Sequence, residues 1–566
     1  PTATPTPTGG SSDITAGVKA TPTPTPAGEK PLYGGSINYI GCCSGSVPAA
    51  VDPWDLRGYS YTYIFHNSPI QMVFPFDPSK GVEYEPGLAV EWTQRDDGSW
   101  LLKLREGVTF HDGEAFTAHD VAATIDRLID PETEVTARQA AMRAIYTSTE
   151  VVDDYTVIVH TGGTPNATAF AYLSAHHMAI VPEHLIKGDP TSEYAQDSQA
   201  PDGGTLKGGT PVRWHFMTPD ETGTLAVGTG PFNMTFWDAE VEWVGERFEN
   251  YFMYDEHGQR LPYADAWVRS NVPDGTRRMA RFAAGTQDYT IGKGAGLHPD
   301  RARELCANTK DDECYIKEFP HGYFNTILNS ESTEQWQDGT LNAASRYAQD
   351  MDVIADLAYG GRQGFMVMDR SRYPDGSISV DEQAELIPWS MADRREEFVQ
   401  KAKDLIVAAG YPDGFELPLP YFSGGLCSGS FLDQYSRQVD ALVEVGIQAT
   451  LECREGVIVA DELKAGKWSV NAPGGSTFLI DPADGLIKFH LKDSAMIRGP
   501  WRYPSQDYVD DNFRKAQKTV DTTARNEIYK DIERYIADPK WTVYPNMYTV
   551  VYLAIHGCVR NFHPGG

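Results

Sequence analysis

The chain has 566 residues, 79 Asp and Glu against 48 Lys and Arg, a formal net charge of −31, and 41% hydrophobic residues. This length exceeds one compact core and calls for two or three domains. The negative excess repels phosphate backbones, which excludes nucleic acid as a natural partner, and no run of about 18 apolar residues reads as a membrane span.

Residues 1–33 begin PTATPTPTGG and later repeat TPTPTP. Every second proline removes a backbone donor and holds the preceding residue extended, so neither helix nor sheet can form. The segment reads as a semi-rigid stalk of roughly 3 Å per residue, with threonines as O-glycosylation acceptors. Pro1 in place of Met fits a processed or trimmed N-terminus. The anchor expected for such a stalk is a lipid-bearing cysteine upstream of Pro1, which places the body at the extracellular face of the cytoplasmic membrane or in the periplasm.

The body opens with a short strand after Gly34-Gly35. Alternation predicts strands at Trp100–Leu104 and Tyr155–His160. The run from Thr117 to Leu128 reads as a helix with Thr117 as N-cap and Asp120 three positions on. Further helices are expected over Leu341–Tyr359, Arg395–Ala409, Phe431–Val445 and Asp510–Ile536, with a strand over Ile447–Leu451. An apolar stretch over Thr542–Ile555 closes the pattern. Mixed strands and helices without repeats describe an α/β protein.

Seven cysteines are present. Cys306 and Cys314 flank a short polar segment that can turn back on itself. Cys427 opens a predicted helix and Cys453 ends the strand after it, which in a β-α-β unit brings them to one sheet edge. Both pairs suit an oxidising compartment; the alternative is buried thiols. Cys42, Cys43 and Cys558 stay unassigned, a vicinal Cys42–Cys43 bridge being one option. The spacings are not those of a zinc site, and His111, His119, His176, His177, His184 and His321 form no tight cluster, so no metal is expected.

Several segments are specific when taken together and in order. They include PGLAVEW (86–92), DDGSW (96–100), LKLREGVTFHDG (102–113), EAFTAHDV (114–121), GTGPF (228–232), ENYF (249–252), LPY (261–263) and FAAGTQD (282–288). YAQDMDVI (347–354), AKDLIVAAGYPDGF (402–415) and VGI (445–447) follow. In this set, from about residue 34 to the C-terminus, the protein resembles the extracellular solute-binding proteins of the peptide/nickel/opine class, family 5. The segments are turns, caps and strand ends, so they speak to fold more than to ligand.

The resemblance implies a bilobed periplasmic-binding-protein-like α/β fold of type II (large cluster C type) with a third subdomain. Residues 34–315 and 546–566 would form lobe I, carrying a subdomain at about 56–180, and 316–545 would form lobe II. A solute would be captured between the lobes and passed to ABC permease subunits in the membrane by a monomer without a cofactor. The implied pocket takes Ser44 and Ser46 after the first strand, Tyr421, Phe422 and Ser423 at a lobe II strand end, and Gly475, Ser476 and Phe478 beside the ligand. Asn546 and Tyr548 sit at the return to lobe I. Peptide-binding relatives place an aspartate four residues before a proline to meet the ligand's α-amino group. Here Pro482 is preceded at that distance by Phe478, and Asp481 reads first as a turn residue. An unpartnered ammonium in a pocket is costly. Family frequency keeps an oligopeptide as the first expectation, and an oligosaccharide or other neutral solute stacked on aromatic faces is the alternative. Trp54, Trp237, Trp389 and Trp468 are core residues before they are pocket walls.

Catalysis is not expected. No Gly-x-Ser-x-Gly elbow, His-Glu-x-x-His or phosphate loop occurs, and the carboxylate pairs lie in turn-like sequence. A stalked adhesion or structural protein would share the linker but would not call for this α/β body.

Overall fold

A computed structural model describes residues 31–41, 65–73, 83–130, 142–162, 167–187, 227–290, 298–309, 314–359, 375–422, 430–452, 462–475, 483–492 and 506–559, with short gaps inside some of these runs. β1 (Ser36–Gly41) starts as predicted after Gly34-Gly35. It is followed by an insertion with its own sheets. β2 (Ile70–Val73) pairs with β3 (Glu83–Pro86), while β4 (Ala89–Gln94), β5 (Trp100–Leu104), β6 (Ser148–Asp153) and β7 (Thr156–His160) lie in the order β4-β5-β7-β6. Helix α1 (Ala118–Ile129) begins with the expected cap. Thr117 accepts from His119 N, and the Asp120 carboxylate accepts the Thr117 N–H at 2.7 Å, closing a capping box. α2 (Ala167–Leu173) and α3 (Glu183–Lys187) complete the insertion.

β8 (Phe232–Asp238), β9 (Glu242–Arg247), β10 (Ala266–Asn271) and β11 (Tyr289–Thr290) return to the β1 sheet, with α4 (Gly275–Ala283) and α5 (Pro299–Asn308) packed beside it. Cys306 at the end of α5 is bonded to Cys314, just before β12, as the sequence predicts. β12 (Tyr315–Leu328) is the long strand that leaves this half.

Beyond it lies a second, helix-rich half. The run expected as one helix at 341–359 is two, α6 (Gly339–Ala348) and α7 (Met351–Tyr359). Gln349 turns extended, and the Asp350 side chain takes the Val353 N–H at 3.2 Å, starting a new helix. α8 (Val380–Leu386) and α9 (Arg395–Ala408) lead to β13 (Phe415–Glu416) and β14 (Tyr421–Phe422), and α10 (Ser430–Glu444) follows. The single strand expected at 447–451 is two short pieces with different neighbours. β15 (Ile447–Gln448) pairs with β13, and β16 (Leu451–Glu452) pairs with β14. After β17 (Val470–Asn471) and β18 (Gly474–Gly475), the predicted 510–536 helix is again two. α11 (Gln506–Lys518) ends before Asp521, whose carboxylate caps α12 (Thr522–Ile536) through the Ala524 N–H at 2.7 Å. The apolar run 542–555 is β19 (Val543–Ile555).

One sheet ties both halves together in the order β16-β14-β17-β12-β19-β11-β1-β10-β9-β8, with β18 also on β12. Among the described residues, a core of Tyr39, Phe65, Trp243, Trp267 and Tyr289 lies on the β1 side, and one of Trp336, Tyr347, Phe398 and Tyr435 lies under the helices of the second half. A third core is continuous from the insertion (Leu102, Phe116, Tyr172) into Ile327, Trp468, Phe513 and Tyr529. The insertion therefore touches the second half as well as its own.

Candidate functional site

Strand direction locates the site. β1 runs parallel to β10 and β11, β11 is antiparallel to β19, and β19 is antiparallel to β12, so β1, β10, β11 and β12 all run the same way. β17 and β18 oppose β12, and β14 and β16 follow β17. The two halves of the sheet thus aim their carboxyl ends at each other. In register, Tyr39, Tyr289, Ile555 and Tyr315 share a row, so β1 ends two residues further along, level with Lys317. From the other side, Asn471 sits at Ile327, Gly474 at Phe324 and Gly475 at Tyr323. Open α/β sheets bind ligands outside the carboxyl ends of their strands. Here both sets of ends converge on the middle of the β12–β19 ribbon, roughly residues 318–326.

That middle is irregular. Between Pro320 and Gly322 the register shifts, leaving His321 as the extra residue of β12; between Phe324 and Asn325 it shifts again, leaving Asn546 as the extra residue of β19. A proline stands beside each irregularity, Pro320 in one strand and Pro545 in the other. Proline has no N–H for the ladder and is tolerated in sheets at bulges, and bulges bend strands and re-aim side chains beside sites.

Several residues expected in the pocket meet here through the backbone. Gly475 and Tyr548 flank Tyr323 in one row, Asn546 is the bulged residue one step away, and Phe422 reaches Ile327 through Asn471. Tyr421 has a different role. It is 1% exposed, and its hydroxyl donates to the Gln438 side chain, which seats it in the helical core. Ser44, Ser46, Ser423, Ser476 and Phe478 lie outside the described residues, as do Cys427 and Cys453. Trp389 and Trp468 are both buried core residues.

Two features escaped the sequence reading. The first is His321, one scattered histidine among others, whose bulge was signalled by Pro320 and Gly322 on either side. The second is Asn325, with a fully buried side chain in the same ribbon. Nearby, burial pushes the Lys317 ammonium pKa down. No group of three or more His, Cys, Asp or Glu side chains able to hold a metal occurs among the described residues. No helix among them is long and apolar enough to cross a membrane.

Comparison with known proteins gives a consistent picture. The model of the bacterial extracellular solute-binding proteins, family 5, matches residues 83–495. The glutathione-binding protein GsiB of Pectobacterium atrosepticum is 24% identical over 509 residues, covering 88% of this chain and 86% of that protein. Heme-binding protein A of Haemophilus influenzae is 28% identical over 405 residues, covering 67% of this chain and 63% of the other. Among solved structures, a dipeptide-binding protein of Pseudoalteromonas in complex with Met-Leu superposes with a TM-score of 0.73 at 16% identity, covering 94% of this chain and 97% of that one. The oligopeptide-binding protein AppA of Bacillus subtilis, in complex with a nonapeptide, gives 0.69 at 18% identity and covers 95% and 97%.

Proposed function

The protein belongs to the bacterial extracellular solute-binding proteins, family 5, with the type II periplasmic-binding-protein fold, and from that premise we propose that it captures an oligopeptide between two lobes and delivers it to an ABC permease. The single observation that carries the reading is the convergence of both sets of strand ends on the bulged middle of the β12–β19 ribbon. Only these two long strands run through both halves of the central sheet among the described strands. On this reading lobe I takes residues 34–315 and 546–566, with its subdomain at about 56–180, lobe II takes 316–545, and the two strands join them. A ligand in contact with both halves favours the closed arrangement because it gains contacts there that it lacks in the open one.

Peptide as the solute is supported by the relatives named for glutathione, itself a tripeptide, and by the structural neighbours that hold peptides. The Thr/Pro-rich composition of residues 1–33, of which 1–30 lie outside the described residues, supports a lipid-anchored, surface-tethered protein, with the permease as its membrane partner. Isothermal titration with di- to pentapeptides and, separately, with maltotriose and cellotriose tests the solute class. Saturable peptide binding in the micromolar range or tighter, with no heat from the sugars, is the expected result. Binding of a sugar and of no peptide would replace this reading with the neutral-solute one.

A further inference from the structure

Two asparagines four residues apart in sequence are both fully buried, at 0% exposure, yet their side chains live differently. Asn329, just past the end of β12, is saturated. Its Nδ2 donates to the Gly466 and Trp468 carbonyls at 3.1 and 2.9 Å, and its Oδ1 accepts from the Glu331 and Ser332 N–H groups at 3.1 and 3.3 Å. Asn325, inside β12, has neither donor nor acceptor engaged: both Oδ1 and Nδ2 are buried without a partner. No other asparagine or glutamine among the described residues has both side-chain polar atoms in that state.

Leaving a buried amide unpaired forfeits its hydration with nothing in return, and such groups are rare in native proteins. An isosteric leucine would remove that cost at no loss of volume. Asn325 is also placed where it matters. It is the β12 residue at the Asn546 irregularity, paired with Pro545, and it lies two residues along the strand from Tyr323, which pairs with both Gly475 and Tyr548. Pro545 contributes no N–H there, so the ribbon lacks a ladder donor beside the orphaned amide.

We propose that Asn325 is a specificity-determining residue of the cleft, its side-chain amide kept for a polar group of the captured solute that both donates and accepts, as a peptide group does. A primary amide offers two N–H donors and a carbonyl acceptor in one plane, which matches the carbonyl and N–H of a peptide backbone and is indifferent to the ligand's side chains. The inference rests on the peptide reading above and adds to it the residue that would recognise the backbone. Empty closure leaves this amide dry and unpaired, and filled closure pairs it, so the residue also discriminates between empty and loaded protein.

The test uses the full-length protein and its Asn325→Leu variant, with di-, tri-, tetra- and penta-alanine as probes because these present little beyond backbone groups and termini. Titration calorimetry measures affinity, and thermal unfolding without ligand measures the apo protein. The expected result is a melting temperature for Asn325→Leu equal to or above that of the wild type, with alanine-peptide affinity reduced about tenfold, the scale of one neutral hydrogen-bonded pair. A variant that melts lower without ligand would make the amide a structural group and overturn the proposal. A variant that binds the peptides as tightly as the wild type would overturn it too, leaving the peptide reading standing. A wild-type protein that binds none of the peptides would sink the peptide reading itself and this inference with it.

Discussion

At the scale of single residues, the FHDG and GTGPF segments meet each other, as do YPDGF and VGI. His111 of the FHDG turn sits 117 positions from GTGPF in sequence, yet its ring joins the two: Nδ1 accepts from the Gly228 N–H at 3.3 Å, and Nε2 donates to the Gly230 carbonyl at 3.0 Å. A neutral imidazole protonated on Nε2 satisfies both at once. His111→Ala should cost about 2–3 kcal/mol in a urea titration through two lost buried bonds and the packing on Phe248. The YPDGF and VGI segments meet in the same manner. Gly414, at φ +78°, lies so close to Gly446 that a Cβ would fall 2.2 Å from the Gly446 carbonyl oxygen. Gly414→Ala should therefore destabilise the second half by more than about 2 kcal/mol, whereas Gly410→Ala, where a Cβ meets nothing, should cost only the backbone strain of its positive φ. Burial pushes His490 down to about 3, far below the value of about 6.5 for a free histidine. The unfolded protein then binds a proton that the folded one refuses, so this group's contribution is intact above pH ~6.5 and lost as pH falls toward 3, by about 1.4 kcal/mol per pH unit. The urea midpoint of the wild type should fall more steeply between pH 6 and pH 4 than that of His490→Gln. Equal slopes would contradict the buried neutral histidine.

At the scale of elements, helix starts were legible because they depend on local chemistry. The Thr117–Asp120 capping box and the α9 and α10 spans fall within a residue or two of their sequence reading. Helix breaks were not. Periodicity passes smoothly over Asp350 and Asp521, and only the three-dimensional cap discloses that each starts a second helix. The site was legible in part. Gly475, Asn546, Tyr548 and Phe422 were picked from the family resemblance; the backbone sets Gly475 and Tyr548 in the Tyr323 row with Asn546 at the next irregularity, and Phe422 further along, level with Ile327. Tyr421 went to the core because adjacent strand residues point to opposite faces, and sequence does not say which face is buried. Asn325 was invisible because an unpaired amide is a property of its surroundings. The Cys306–Cys314 bridge pins the end of α5 to the start of β12. For so short a loop, the loop-entropy account gives about 2–3 kcal/mol, so dithiothreitol should lower unfolding stability by that amount. The Cys306→Ser, Cys314→Ser double variant should reproduce the loss and abolish the response.

At the scale of the molecule, the β12–β19 ribbon ties the two halves together, and the proposed capture step makes it the hinge. It carries one sheet through two halves with separate cores, and its two bulges sit where those halves face each other. The insertion shares a continuous core with α11 and α12, so apolar packing joins the two halves there as well as the ribbon. A saturating peptide should shrink the radius of gyration in small-angle scattering, and an unchanged radius would contradict hinge closure as the capture step. Most direct is native mass spectrometry of the gently purified protein, before and after denaturation, with the released small molecules sequenced. Peptide capture predicts mass adducts on the folded protein that resolve into short peptides on release. Release of oligosaccharide alone, from a protein that then takes up no added peptide, would contradict it.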